Sequence, residues 1–409
     1  MKITYAVLGA GRMGGAVAYD LARHGSAAEI RLADADLAAA RAAAALCRSK
    51  LVKPAKVAVT DAAAVKKLLK GADVVVSAVP YRFNVALARA ALAAKASFCD
   101  LGGNNDVVAE ELLLDAKFKA AGRTLVPDCG LAPGMANVLA ARAARRLDSV
   151  EALRIRVGGL PQKPEGPLRY QLVFSVGGLV NEYKEKCLVV RDGKTKSVEP
   201  LTEIEAIDFA APFGRLEAFH TSGGLSTLPR TLKGRVRNMD YKTIRYEGHC
   251  EKMKLLLDLG FFDEEKIEPL GVSARAAAEA VLVRALAPKK KVPLDAVLVR
   301  ITVEGTRLGR KVTLVNEIVD ACDTKTGHTS MMRTTAYPAA IVAAMLGRRE
   351  ALREGAVPQE NALPADAFVA ELRRRGLPLV ESEIDANADA APGATPERGA
   401  VPAARGDNR

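Results

Sequence analysis

The N-terminal stretch MKITYAVLGAGRMGGAVAYD, residues 1–20, decides the fold. An apolar run over Ile3–Leu8 leads into Gly9, Gly11 and Gly14, and an apolar helical pattern follows. The first glycine permits a tight turn, the second lets the backbone approach a pyrophosphate, and the third lets the helix pack on the strand. The N-terminus of that helix then faces the phosphates. The stretch therefore predicts a strand, a turn and a helix that bind a dinucleotide.

The acidic residue that such a site needs stands at the end of the second predicted strand. The segment EIRLAD ends in Asp34, where a carboxylate accepts hydrogen bonds from both ribose hydroxyls. A carboxylate repels the additional phosphate of NADP, and the next residues are Ala35 and Asp36 rather than an arginine. We therefore expect NAD, with NADP less favoured. The alternative is a glycine turn in a domain that binds no nucleotide, with Asp34 as an ordinary loop acid.

Other residues near the turn are also expected to contact the cofactor. Arg12 and Met13 lie within the glycine pattern itself. Ala78, Val79 and Pro80 follow the fourth predicted strand, at the carboxyl edge of the sheet where doubly wound folds bind ligands. Helix capping and turn formation explain Pro80 equally well.

The pattern of strand and helix repeats along the first part of the chain. Apolar or β-branched runs alternate with Ala- and Leu-rich amphipathic stretches, which predicts an α/β fold with a Rossmann-type, doubly wound parallel sheet. The predicted strands are Ile3–Leu8, Glu29–Ala33, Lys56–Val59, Asp73–Ala78, Ser97–Asp100 and Thr124–Pro127.

The character of the sequence changes after Gly134. A helix over Met135–Arg146 precedes longer strand-like segments and Gly/Pro-rich loops, which predicts a second α+β domain for substrate binding and dimerisation. A second helix is expected over Ser330–Leu346, with Pro338 either kinking it or marking its start. The Ala/Pro/Gly-rich residues 385–409 predict a disordered tail. The predicted divisions are 1–127, 128–327, 351–384 and this tail.

Composition narrows the functional classes. Of the 409 residues, 49% are apolar, and charge interrupts every apolar run before it could span a bilayer. The net charge of +12 is dispersed and aromatic residues are only 4%, which argues against nucleic-acid binding. The six cysteines are scattered without a CxxC pair, so we expect no structural metal and a reducing, cytoplasmic location.

Six motifs in order resemble the saccharopine dehydrogenase-like family, most closely its lysine 6-dehydrogenase (L-lysine dehydrogenase) branch. They are VVVSAVPYRFN (74–84), DLGG (100–103), VPDCGLAPGMANVLA (126–140), VGGLP (157–161), LEAFHTSGG (216–224) and YKTIRYEGH (241–249). The resemblance implies a homodimer whose Rossmann domain is rejoined by helices about 328–350. It also implies NAD(P)-linked oxidation of the terminal amine of lysine, giving ammonia and an aldehyde that cyclises to a piperideine carboxylate.

The resemblance leaves neighbouring activities open. Saccharopine reductases, the glutamate-forming saccharopine dehydrogenases, tend to carry GLDPG where this chain has GLAPG, with Ala132 in place of the aspartate. That departure favours the lysine branch but does not separate lysine from a polyamine-type substrate, as in carboxynorspermidine dehydrogenase. A sensor that binds dinucleotide without turnover is the non-enzymatic alternative.

Amine oxidation requires a group that takes a proton from an ammonium whose pKa is normally about 10. The candidates are Asp128, His220 and His249, with a turn-forming role for the aspartate and structural hydrogen bonds for the histidines as alternatives. A second group must hold the substrate's carboxylate. The candidates for that role are Arg245, which binds carboxylates in two-pronged fashion, together with Thr221, Ser222 and Gly159. The alternative for Arg245 is a structural ion pair with Glu247 or another strand neighbour.

Overall fold

The computed structural model of this chain describes residues 2–288 and 292–385. The tail predicted over 385–409 therefore lies outside the described residues except for its first position. Within the described ranges, none of the helices has both the length and the apolar character that crossing a membrane requires.

The first 126 residues alternate strand and helix. The strands are β1 (Ile3–Leu8), β2 (Ala27–Asp34), β3 (Val52–Lys56), β4 (Val74–Ser77), β5 (Ser97–Asp100) and β6 (Thr124–Val126). The helices are α1 (Arg12–His24), α2 (Leu37–Leu46), α3 (Ala62–Leu69), α4 (Asn84–Ala93), α5 (Asn105–Leu112) and α6 (Asp115–Ala120).

The rest of the described chain builds a second sheet and then returns to the first. Its middle part comprises α7 (Ala136–Arg145), β7 (Ser149–Pro161), α8 (Val176–Lys184), β8 (Cys187–Arg191), β9 (Lys194–Val198), β10 (Glu205–Phe209), β11 (Gly214–His220), α9 (Leu228–Thr231), β12 (Val236–Arg245), α10 (His249–Asp258), β13 (Lys266–Ile267), β14 (Val272–Ser273), α11 (Ala274–Leu286), β15 (Asp295–Arg307) and β16 (Arg310–Ala321). Its last part comprises α12 (Ser330–Gly347), β17 (Gly355–Ala356), α13 (Gln359–Ala362), α14 (Ala365–Arg374) and β18 (Leu379–Asp385).

The strand order confirms the predicted fold class. The first sheet is parallel in the order β3-β2-β1-β4-β5-β6-β17, which is the Rossmann order with one short strand added. The second sheet is mixed, in the order β10-β11-β12-β7-β15-β16-β18, with β8 and β9 attached through β12. Strand β4 is buried on both faces, as the central strand of a sheet covered by helices must be.

The last part of the chain links the two sheets. Helix α12 is almost wholly buried and packs on α1, β4 and β5, whereas β17 joins the first sheet and β18 joins the second. The helix runs through Pro338, so this proline does not mark its start.

The prediction of a strand over Lys56–Val59 is wrong, because β3 occupies Val52–Lys56 instead. Pro54 lies opposite Leu32 in the ladder. Strand β3 is the edge of the sheet, and an edge strand tolerates proline because its outer side needs no N–H donor. The proline thus argued against a strand at a position where the structure has one.

A buried ion pair ties the C-terminal segment to α1. Arg375 Nε donates to both oxygens of Asp20 at 2.9 Å, and both side chains are almost completely buried. Burial raises the pKa of Asp20 to about 6 even though Arg375 opposes the shift. This carboxylate therefore depends on its partner to remain charged.

Replacing Arg375 should accordingly destabilise the fold. We expect Arg375→Ala to lower the free energy of unfolding by about 3–5 kcal/mol, because it leaves a buried carboxylate without its counter-ion. Urea denaturation measures the change. Arg374→Ala is the matched control, since Arg374 is half exposed and, within the described part of the chain, forms an ion pair with Glu371 alone; this variant should cost under about 1 kcal/mol. Equal losses in the two variants would contradict this account.

Candidate functional site: a glycine turn and a buried arginine

The glycine turn has the geometry that its sequence predicted. Gly9 has a φ of +95°, and a Cβ there would lie 2.6 Å from the carbonyl oxygen of Ala78. A side chain at Gly14 would overlap the carbonyl oxygen of Gly9, so α1 packs directly on the turn. Gly11 begins α1 without a capping side chain, and a Cβ there would meet open space. The first N–H groups of α1 thus face an open cradle that fits a pyrophosphate.

Of the other predicted cofactor contacts, some lie next to this turn and others lie at the surface. Val79 lies against the turn, within 3.0 Å of a Cβ built on Gly9. Arg12 and Pro80 are exposed, and Met13 is half buried against the core. The structure thus brings Ala78 and Val79 to the glycines and leaves Arg12 and Pro80 at the surface.

Asp34 is part of the turn as well as a candidate ribose ligand. Its Oδ2 accepts a hydrogen bond from the backbone N–H of Ala10 at 2.8 Å, and its Oδ1 accepts one from Asp36 at 2.9 Å. The side chain is half buried at the end of β2. Because each carboxylate oxygen has two lone pairs, these bonds leave acceptor capacity for ribose hydroxyls.

One face of β12 carries the predicted carboxylate ligand. Tyr241, Thr243 and Arg245 alternate with residues of the opposite face, so the three side chains share one side of the second sheet. Thr221, just beyond β11, joins this face through a 2.6 Å hydrogen bond between its hydroxyl and that of Thr243. Ser222 lies nearby against α8, where its amide donates to the carbonyl oxygen of Glu182.

Arg245 is buried among neutral groups. Only 2% of the residue is exposed. Its Nε donates to the Tyr183 hydroxyl at 3.0 Å, its Nη1 donates to the Ile244 carbonyl at 2.9 Å, and the guanidinium lies 4.7 Å from the centre of the Tyr170 ring. Among the residues that the structure describes, no carboxylate lies within 4.0 Å of this guanidinium.

His249 continues this chain of hydrogen bonds. Its Nδ1 lies 2.9 Å from the Leu168 carbonyl, which only accepts, so Nδ1 carries the proton. Its Nε2 therefore accepts from the Tyr183 hydroxyl at 3.0 Å, and that hydroxyl in turn accepts from Arg245. Burial, with Arg245 nearby, lowers the pKa of His249 to about 3. The imidazole is thus neutral, and both of its nitrogens are engaged.

His220 lies on the opposite face of the second sheet from Arg245. It pairs with Lys242 in the antiparallel register of β11 and β12, and its Nδ1 donates to the Tyr241 carbonyl at 3.2 Å. Its Nε2 lies 3.1 Å from Glu203. The second sheet therefore lies between the side chains of His220 and Arg245.

Gly159 does not line an open surface. It is buried in β7, and a Cβ there would lie 2.5 Å from the Met331 side chain at the start of α12. Its glycine is explained by this packing between the second sheet and α12, rather than by room for a ligand.

Asp128 lies at the carboxyl end of β6 and touches the second domain. Its Oδ2 accepts a hydrogen bond from the Ser226 hydroxyl. Its φ is +60°, and a side chain at Gly102 would overlap its Oδ1. Burial first, and then the charge of Asp100, raises the pKa of Asp128 to about 7. A carboxylate with that pKa exchanges protons near neutral pH.

Several residues of this site were not predicted. Tyr170 and Tyr183 contact Arg245 but lie in segments that carry no recognisable pattern. Asp100 ends β5 inside the DLGG motif, which was a usable signal. Glu111 is fully buried on the same face of α5 as Val108, where an apolar residue is expected. A charged residue at such a position also marks a site.

Comparisons with known proteins agree with this architecture. The Saccharopine dehydrogenase NADP binding domain matches residues 5–126, and the Saccharopine dehydrogenase C-terminal domain matches residues 130–377. The chain is 24% identical over 221 residues to a saccharopine dehydrogenase [NADP(+), L-glutamate-forming] of Pyricularia oryzae, covering 52% of this chain and 48% of that protein. The Saccharomyces cerevisiae enzyme of that name is 26% identical over 220 residues, covering 51% and 48%. The chain thus spans about half the length of these curated relatives.

Solved structures share the fold at low sequence identity. Apo saccharopine dehydrogenase (L-Glu forming) of Saccharomyces cerevisiae matches with a TM-score of 0.78 at 21% identity, covering 93% of this chain and 100% of that one. Homospermidine synthase of Legionella pneumophila, in complex with NAD, matches with a TM-score of 0.65 at 9% identity, covering 100% and 95%.

The two neighbouring glycines of α1 provide a test of the cradle. We expect Gly14→Ala to weaken dinucleotide binding at least about tenfold, because the new methyl group displaces α1 from the turn. Isothermal calorimetry with oxidised and reduced coenzymes measures this. Gly15→Ala is the matched control, since its Cβ would make only a 3.4 Å contact with Ala43. Equal affinities of the Gly14 and Gly15 variants would contradict the assigned cradle.

Proposed function

The chain belongs to the saccharopine dehydrogenase family, and we propose that it is an NAD-dependent oxidoreductase that deaminates the terminal amine of L-lysine. Transfer of a hydride to NAD would give an iminium, and its hydrolysis by water would release ammonia and allysine, which cyclises to piperideine-6-carboxylate. The observation that carries this proposal is the buried Arg245, which no carboxylate of the described chain neutralises at close range.

A buried cation without a counter-ion is costly, and a substrate carboxylate removes that cost. The groups that contact Arg245 are a hydroxyl, a carbonyl and an aromatic ring, all of them neutral. Glu182 acts on Arg245 only from a greater distance, and burial raises the pKa of this acid to about 7. A ligand carboxylate would supply the missing charge with two parallel hydrogen bonds. Thr221 and Ser222 lie close enough to this face to help position it.

The spacing along β12 favours a substrate whose amine is remote from its carboxylate. The Asp128 carboxylate accepts a hydrogen bond from Ser226, in the loop that follows β11. Gly224 of the same loop packs against Tyr241 so closely that a side chain at Gly224 would overlap the tyrosine ring. Tyr241 and Arg245 are four residues apart on an extended strand, about 13 Å. In this proposal an acid near Tyr241 and the cation of Arg245 receive the two ends of a long amino acid such as lysine.

The chain's own groups can then prepare the amine for oxidation. The Asp128 carboxylate accepts a proton from the substrate ammonium, which frees the nitrogen lone pair that the developing iminium requires. The nicotinamide dinucleotide supplies the hydride acceptor when it is bound. In this proposal the turn from Gly9 to Gly14 holds the pyrophosphate, and His249 positions Arg245 through Tyr183. His220 supports the sheet from its far side.

A second candidate is a glutamate-forming saccharopine dehydrogenase, because the curated relatives carry that name. Carboxynorspermidine dehydrogenase chemistry and a dinucleotide sensor are further alternatives. Absorbance of the reduced coenzyme with lysine, saccharopine or carboxynorspermidine as substrate distinguishes them. Turnover of saccharopine without lysine turnover would reverse the ranking, and tight NAD binding with no turnover of any amine would indicate a sensor.

Location and assembly are also proposals. All six cysteines are free thiols, which suits a reducing compartment such as the cytoplasm. The family resemblance suggests a homodimer, which sedimentation velocity of the purified chain would test. We also retain the division into residues 1–127 with helices about 328–350, residues 128–327 and residues 351–384.

Asp34 supports NAD as the coenzyme, although the matching family model is named for NADP. We expect the native chain to bind NAD more tightly than NADP. Asp34→Asn should lower the ratio of the NADP dissociation constant to the NAD dissociation constant at least about tenfold, since it removes the charge that repels the extra phosphate. The amide oxygen can still accept from Ala10, whereas the bond from the N–H of Asp36 is lost, so we expect the turn to persist through the Ala10 bond. Calorimetry with both coenzymes gives the ratio, and an unchanged ratio would contradict this role.

Arg245→Lys tests the carboxylate site while keeping the charge. We expect the KM for lysine to rise about tenfold or more, because an ammonium cannot form the two-pronged contact or hold Tyr183 in the same way. Dinucleotide affinity should stay unchanged. Arg169→Lys is the control. Arg169 lies in the loop between β7 and α8, where its exposed side chain covers the Tyr246 ring. An unaltered KM in the Arg245 variant would refute the assignment.

A further inference from the structure

Three carboxyl groups meet at the carboxyl edge of the first sheet. Asp100 ends β5, Asp128 follows β6, and Glu111 comes from α5. They are 0%, 5% and 0% exposed respectively. Three neighbouring negative charges that are shielded from solvent repel one another strongly. At least one of these carboxyl groups therefore carries a proton.

The hydrogen bonds indicate which carboxyl group is ionised. Asp100 Oδ1 accepts from the backbone N–H groups of Gly102 at 2.6 Å and Asp128 at 3.4 Å. Asp128 Oδ2 accepts from Ser226, and Glu360, on α13, adds negative charge nearby while accepting from the hydroxyls of Thr227 and Thr231. The two aspartates thus have donors that stabilise a carboxylate.

Glu111 has no such donor. Both of its oxygens, and Oδ2 of Asp100, are buried without a hydrogen-bond donor among the described residues. The Asp100 and Glu111 side chains nevertheless lie within hydrogen-bonding reach of each other. A proton on Glu111, donated to Asp100 Oδ2, satisfies both groups at once.

We propose that Glu111 is protonated at neutral pH, donates to the ionised Asp100, and so makes Asp100 and Glu111 positioning residues for the proton acceptor Asp128. The inference rests on the proposed function only in its last step. Burial and the neighbouring charges raise the pKa of Glu111, in agreement with this assignment. Asp100 keeps its negative charge beside Asp128 and thereby makes Asp128 a better proton acceptor at neutral pH.

Infrared spectroscopy of the full chain without coenzyme tests the protonation state. A neutral carboxylic acid has a carbonyl band that a carboxylate lacks, so E111Q should abolish one such band at pH 9, where Asp128, with a pKa of about 7, is already ionised. D100N should retain it, because that substitution removes an ionised group. Loss of the band in D100N, or its persistence in E111Q, would overturn the assignment. If E111Q does not fold, the D100N spectrum still decides.

Stability provides a second readout that also needs no coenzyme. A carboxyl group that stays protonated in the fold must take up a proton that the unfolded chain releases above about pH 4.3. The folding equilibrium constant of E111Q relative to the native chain should therefore rise about tenfold per pH unit between pH 5 and 8. Urea unfolding across this range measures the ratio.

Glu110 offers a matched control on the same helix. It is exposed, so E110Q removes a carboxyl group from α5 without touching the buried cluster. Its stability ratio to the native chain should stay flat between pH 5 and 8. A flat ratio for E111Q as well would show that Glu111 is ionised in the fold and would overturn the proposal.

The pH dependence of turnover connects the cluster to the reaction. With lysine as substrate, the rate should rise as Asp128 ionises, and D100N should move that rise to lower pH by removing a neighbouring negative charge. A rise that stays in place would contradict the role of Asp100. If no amine is oxidised at all, the proposed function fails, whereas the infrared and unfolding results still decide the protonation of Glu111.

Discussion

Helix α1 lies so close to β1 that the carbonyl oxygen of Gly9 leaves no room for a side chain at Gly14. This contact brings the first N–H groups of α1 to the carboxyl edge of the parallel sheet. It also places Ala78, at the end of β4, against the turn. Because parallel strands all end at this edge, Asp100 and Asp128 reach the same region from β5 and β6. A backbone contact thus determines where the chemistry of the chain can take place.

Buried charge is treated differently in three parts of the molecule. Arg375 and Asp20 neutralise each other inside the fold and serve to join distant segments. In our proposal the Asp100, Glu111 and Asp128 cluster limits its charge through protonation, because no donor among the described residues reaches the Glu111 carboxyl group. The Arg375–Asp20 pair is complete within the chain, whereas the groups that we propose as functional are left to exchange protons or ligands.

Arg245 represents the third solution, a cation held among neutral partners. The Leu168 carbonyl only accepts, which makes Nδ1 of His249 a donor and leaves Nε2 as an acceptor. The Arg245 guanidinium only donates, so the Tyr183 hydroxyl between them accepts from Arg245 and donates to His249. A protonated His249 would break the chain of bonds, and its burial next to a guanidinium opposes that protonation.

The sequence by itself determined the glycine turn and the alternation of strand and helix, and it singled out Asp128 and Arg245 as candidates, since these depend on local spacing and residue chemistry. The prediction from sequence was wrong for β3, where Pro54 is tolerated only because the strand lies at an edge. Tertiary structure alone decided that His220 and Arg245 lie on opposite faces, because strand register is a property of paired segments. It also decided that Glu111 meets Asp100, since the way in which α5 packs back on the end of β5 leaves no periodic signal in the sequence.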